Sequence, residues 1–141
     1  MRQDLDTAYA LDDRCVEAFR EQGFVRLGQV LSAETLAGYG PEISRVTLEL
    51  TREKRPLAER GTYAQAFLQV TNLWQRSELV REFVFSKRLA RLAAGLLGTR
   101  GVRLYHDQSL YKEPGGGITS GAPETHSNTT VSPELIVISA G

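Results

Sequence analysis

Through the first hundred residues, apolar positions recur mainly at helical spacing. Leu11, Cys15, Val16 and Phe19 fall on one face of a helix that Asp12 or Asp13 caps and Gly23 ends. Residues 24–27 (Phe-Val-Arg-Leu) then read as a short strand. Ser32 caps a second helix, with Glu34 in the first turn, where the helix dipole favours a carboxylate. Gly38-Tyr39-Gly40-Pro41 is expected to interrupt it, because proline removes a backbone donor and crowds the preceding turn. A helix resumes at Pro41, with Ile43, Val46 and Leu50 spaced i, i+3, i+7. Residues 52–62 form a charged connection. Ser77 and Ser86 each have the character of a helix cap. The second opens a helix over 87–97, with Leu89, Leu92, Ala93 and Leu96 inward and Gly98 as its stop. Residues 102–111, bounded by Gly101 and Pro114, make the best strand in the chain. The pattern is a helical layer leading into a first major strand. A lone strand with unpaired edges is half an architecture.

Composition narrows the class. The 141 residues are 41% hydrophobic and 24% charged, ordinary for a soluble globular domain and too apolar for wholesale disorder. Seventeen basic residues balance seventeen acidic ones, so no positive field favours nucleic acid. No apolar run is long enough to span a membrane, and the N-terminus lacks the apolar run of a signal peptide. The single cysteine, Cys15, fits a cytoplasmic location and reads as a small core residue. With only His106 and His126, a three-imidazole metal site is excluded within one chain.

The composition changes near Gly117. Residues 1–117 hold every Lys and Arg, whereas residues 118–141 hold none and carry only Glu124 and Glu134 as acids. Ser and Thr occupy 8 of those last 24 positions. Such a shift marks a linker or disordered tail, a change of reading frame or an alternative exon. Residues 134–139 have the composition of a short strand.

The most distinctive segment is Leu104-Tyr-His-Asp-Gln-Ser-Leu-Tyr-Lys-Glu-Pro-Gly-Gly-Gly117. It resembles the strand before the metal-binding motif in the phytanoyl-CoA dioxygenase family of Fe(II)/2-oxoglutarate oxygenases. Phe19-Arg-Glu-Gln-Gly-Phe24-Val-Arg-Leu, followed by Leu31-Ser-Ala-Glu34, is similar to the family's opening helix, strand and second helix. Leu89-Ala-Arg-Leu-Ala-Ala-Gly-Leu-Leu-Gly98 resembles its helix before the core strand. The resemblance covers residues 10–117. It implies an α+β fold: an N-terminal helical layer plus the first strand or strands of a double-stranded β-helix (cupin-like, jelly-roll) core, truncated. Complete relatives use Fe(II), 2-oxoglutarate and O2 to hydroxylate a small molecule.

In that family a His-x-Asp motif and a later histidine form the iron site, and a later arginine pairs with 2-oxoglutarate. Here no His-x-Asp occurs; the nearest imitation is His126-Ser-Asn128, and no arginine follows Arg103. The resemblance therefore implies the entrance of the fold without its catalytic half, and no catalytic or metal-ligating residue is assigned. His106 and Asp107 are adjacent on a strand and so point to opposite faces, which leaves His106 a hydrogen-bonding role. By resemblance, Gln69 and Gln108 correspond to positions lining the 2-oxoglutarate pocket. Without it, Gln69 reads as a surface amide and Gln108 as a solvent-facing strand residue. Trp74 and Phe67 are expected in the core. The competing reading is a non-catalytic interaction module that self-associates through an exposed strand edge or pairs with a full-length relative.

Overall fold

The computed structural model describes residues 2–66 and 68–111. Its helices are α1 (Arg2–Asp6), α2 (Asp13–Gln22), α3 (Ala33–Leu50), α4 (Thr62–Ala66), α5 (Glu78–Val84) and α6 (Lys87–Leu97). Its strands are β1 (Leu68–Thr71) and β2 (Gln108–Tyr111), paired antiparallel with Leu68 opposite Tyr111 and Thr71 opposite Gln108. The class is α+β, with helices outnumbering a two-stranded sheet among the described residues.

The caps follow local chemistry. Asp12 accepts from Arg14 N at 2.9 Å, and Gly23 ends α2 at φ 80°, a left-handed turn that a side chain would strain. Ser32, Ser77 and Ser86 each accept from the backbone N–H three residues on, at Thr35, Val80 and Leu89. Gly95 serves a different need: a Cβ there would lie 3.0 Å from Leu11 Cδ2, so the bare backbone lets α6 approach the lead-in to α2.

Several expectations are corrected. Residues 24–27 are not a strand; Phe24 is 67% exposed and no neighbouring strand pairs with them among the described residues. Helix α3 is not interrupted at residues 38–41 but runs through Pro41. Packing on both sides of the proline outweighs the lost hydrogen bond: Tyr39 is fully buried, Val46 nearly so, and Ile43 between them touches both core clusters. The strand over 102–111 shrinks to its last four residues, because β1 offers only four partners. Asn72, left-handed at φ 58°, turns the chain out of β1. Trp74 is half-buried, and its neighbour Leu73 takes the core position. Cys15 is likewise half-buried. Phe67, His126 and residues 134–139 lie outside the described residues.

The core has two parts joined by α3. One gathers Val46, Val70, Leu73 and Val80, with Ile43, Leu50 and Val84 against them. The other gathers Leu5, Leu31 and Tyr39, with Phe83 stacked at 5.5 Å from the Tyr39 ring. The N-terminal segment is tied down by polar contacts. Asp4 Oδ2 accepts from Ser32 N and from the Thr35 hydroxyl, both at 2.7 Å. Arg88 donates to Thr7 O at 3.0 Å, to Val30 O at 2.7 Å and to the Thr7 hydroxyl. Tyr9 OH donates to Gly28 O at 2.9 Å.

Among the carboxylates held below their usual range, Asp4 and Glu42 tie distant segments together and make the fold acid-sensitive. Hydrogen bonds from Ser32, through both hydroxyl and N–H, and then from Thr35 hold Asp4 well below the usual carboxylate range. Glu42 is lowered to about 2, first by the Arg45 guanidinium and then by the Ser77 hydroxyl. A depressed folded-state pKa stabilises fully above the unfolded value and is lost as pH falls through the folded one. The urea midpoint is therefore expected to decline as the pH drops from about 5 towards 2. Asp4→Asn is expected to flatten that decline; an unchanged slope in the variant would remove Asp4 from the account.

Candidate functional site: the outer face of the sheet

Alternation divides the two strands cleanly. Leu68, Val70, Ser109 and Tyr111 turn towards α3, where the Thr47 hydroxyl exchanges a hydrogen bond with the Ser109 hydroxyl at 2.9 Å. Gln69, Thr71, Gln108 and Leu110 turn outward and are exposed. Gln69 faces Leu110 and Gln108 faces Thr71, so the two glutamines are diagonal neighbours on one surface. The structure brings them into contact: Gln69 Nε2 donates to Gln108 Oε1 at 3.0 Å. Half-exposed Leu110 supplies an apolar patch beside the amides. Chemically this face is a pair of neutral amides whose N–H groups suit a carboxylate and whose carbonyls suit a hydroxyl.

The position of β2 depends on Asp107. Its carboxylate accepts from Leu73 N at 2.9 Å and, through Oδ1, from Trp74 N at 3.5 Å, while its backbone carbonyl accepts from Asn72 N at 2.9 Å. These bonds fasten the residue before β2 to the short 3-10 turn, Leu73–Gln75, that follows β1. Nothing in the sequence pattern flags this role, because the donors lie more than thirty positions upstream. Asp107→Ala is expected to cost about 2 kcal/mol by stranding half-buried N–H groups. It should also loosen the Gln69–Gln108 contact, seen as lost nuclear Overhauser contacts between those side chains. An intact amide pair in a destabilised variant would contradict this.

His106 is exposed, its ring edge-on to Tyr105 with centroids 5.0 Å apart. Asp107 directs its carboxylate to the backbone donors of Leu73 and Trp74, closely only at Leu73. Among the described residues no three His, Cys, Asp or Glu side chains converge on a common point. These described donors do not fit an iron triad. A separate groove of about 650 Å³ runs between α1, α5 and α6, lined in part by Leu5, Asp6, Arg81, Phe85 and Lys87. None of its lining residues belongs to the sheet. Beside it the Arg81 guanidinium lies 5.0 Å from the Trp74 ring and 4.9 Å from the Phe85 ring.

A helical layer backing a small antiparallel sheet, with a polar outer face, defines an α+β protein whose chemistry is unassigned by geometry alone. Residues 19–133 match the model of phytanoyl-CoA dioxygenase (PhyH), and the chain belongs to that family of dioxygenases. The match passes through Gly117, where the composition changes, and ends at residue 133. Members of the family generally depend on Fe(II) and 2-oxoglutarate. No curated protein and no solved structure matches the chain. Among the described residues no helix is long and apolar enough to cross a membrane.

Proposed function

We propose that this chain carries the helical layer and first sheet strands of a double-stranded β-helix oxygenase, and that Gln69 and Gln108 form one wall of its 2-oxoglutarate site. The observation behind this reading is the Gln69–Gln108 pair, which sits on the outward face of the sheet rather than against the helices. In this reading the amide N–H groups hold a 2-oxoglutarate carboxylate, Leu110 packs against its methylene carbons, and Asp107 fixes the strand that presents them. Fe(II) would supply the oxidising centre in a complete family member that hydroxylates a small molecule. These 141 residues lack the His-x-Asp donors to hold it, so this chain alone carries out no oxidation. The balanced charge and free cysteine favour a cytoplasmic setting without nucleic acid or membrane partners.

Pure protein with Fe(II), ascorbate, O2 and 2-oxoglutarate is expected to release succinate only at the rate of a protein-free control. Turnover above that rate would overturn the claim of inactivity. Saturation-transfer NMR tests the pocket wall separately. 2-Oxoglutarate is expected to give a signal that Gln108→Ala abolishes, and a signal indifferent to that substitution would remove the glutamines from the site.

A further inference from the structure

The segment before β2 has the sequence of a strand and, among the described residues, no partner strand. Residues 102–107 read Val-Arg-Leu-Tyr-His-Asp, with apolar Val102 and Leu104 alternating with Arg103 and Tyr105. Tyr105 is 93% exposed, and Leu104 and Val102 are 44% and 38% exposed. Strand β1 ends at Thr71, where Asn72 turns away, so nothing in the described sheet extends alongside them. Among the described residues no backbone hydrogen bond joins residues 102–106 to another segment. Large exposed apolar side chains beside unpaired backbone donors and acceptors make a template for strand addition.

We infer that the occupant is a second copy of this chain, paired antiparallel through residues 103–107 about a two-fold axis at Tyr105. Charge complementarity selects both occupant and register. With Tyr105 facing its own counterpart, Arg103 of each copy lies opposite Asp107 of the other, and Leu104 lies opposite His106. The interface then places an aromatic pair between two Arg–Asp pairs, each a favourable cross-strand combination. An axis at Leu104 sets Arg103 against Tyr105 and leaves Asp107 unmatched. An axis at Arg103 sets two like charges against each other. An axis between Leu104 and Tyr105 sets Arg103 against His106. Asp107 has capacity for the added partner, because its Oδ1 makes only a long contact, 3.5 Å, to Trp74 N. The arrangement is independent of the oxygenase reading, since it uses neither glutamine.

The test uses the full 141-residue chain carrying Cys15→Ala, which removes the only native thiol. Sedimentation equilibrium is expected to show a dimer, twice 15.6 kDa, at high micromolar concentration. Under mild oxidation Tyr105→Cys is expected to form a disulfide-linked dimer, because self-facing residues stand about 5 Å apart. Val102→Cys is expected to stay reduced, because its symmetry mate lies six residues away along the paired strands, about 20 Å. Arg103→Glu, on an exposed side chain, should weaken the dimer about tenfold by setting it against Asp107. A monomer at every concentration overturns the inference, and so does equal cross-linking by the two cysteine variants or a dimer indifferent to Arg103→Glu. A monomer whose residues 102–106 resist hydrogen exchange overturns it in favour of a cover from the same chain.

Discussion

Leu73→Ala is expected to lower the stability of the protein by about 3 kcal/mol, read as a fall in the urea midpoint at unchanged slope. Leu73 is 1% exposed and sits among Val46, Val70 and Val80, so its truncation removes apolar burial and leaves a hole that the surrounding side chains fill only partly. Collapse is restricted there. The Leu73 N–H is held by Asp107, and Val70 is fixed in register opposite Ser109, so the backbone has little freedom to move inward. Because Val70 anchors β1 and Asp107 precedes β2, the same substitution should slacken the outer sheet face. Leu73→Met, close in volume, should cost less than about 1.5 kcal/mol. Equal losses from Ala and Met would show that shape, rather than volume, decides the site.

Arg88→Ala should cost a similar amount, about 3 kcal/mol, for a different reason. The guanidinium is 12% exposed, with Asp4 Oδ1 at 3.8 Å, and it satisfies two backbone carbonyls and one hydroxyl at once. Removing it strands the part-buried carbonyl of Val30, gives up the tie to Thr7 and takes a cation from beside Asp4. Arg88→Lys should recover little, because an ammonium cannot reproduce the planar fork that reaches Thr7 and Val30 together. The loss should be local in its first effect. Amides of residues 5–9 should exchange faster before the sheet does, and uniform acceleration along the chain would contradict a dedicated role for this arginine.

The helix boundaries were legible because their signals are local. A serine cap acts on the N–H three residues on, and a glycine stop acts on its own φ, so Ser32, Ser77, Ser86, Gly23 and Gly98 announce themselves. Most of the inward face of α6 was equally plain from spacing: Leu92, Ala93 and Leu96 are buried, whereas Leu89 is half-buried and Ala94 joins the buried set. What failed depended on distant partners. Whether residues 102–107 form a strand turns on the length of β1, and whether Pro41 breaks a helix turns on what Tyr39 and Val46 touch. Helix α1 carries no cap signal and is held in place at Asp4, Leu5 and Asp6, each answered from far along the chain, at Ser32 before α3 and at Ser86 and Arg91 of the α6 region. For the candidate site, the glutamines came from resemblance, and only the antiparallel register shows that they meet. In the sequence Asp107 reads only as the neighbour of His106; its service to Leu73 and Trp74 is invisible without the fold.

Ile43 packs against both core clusters, and this gives the molecule a thermodynamic property that neither cluster has alone. The end that carries the sheet and the end that holds the N-terminal segment share one wall, so opening either one strips contacts from the other. A carboxylate captured by Gln69 and Gln108 would then raise protection at Leu5 and Leu31, on the far side of α3, by mass action on a single unfolding equilibrium. Ile43→Ala should uncouple the ends, leaving a binding event at the sheet that the N-terminal segment no longer registers.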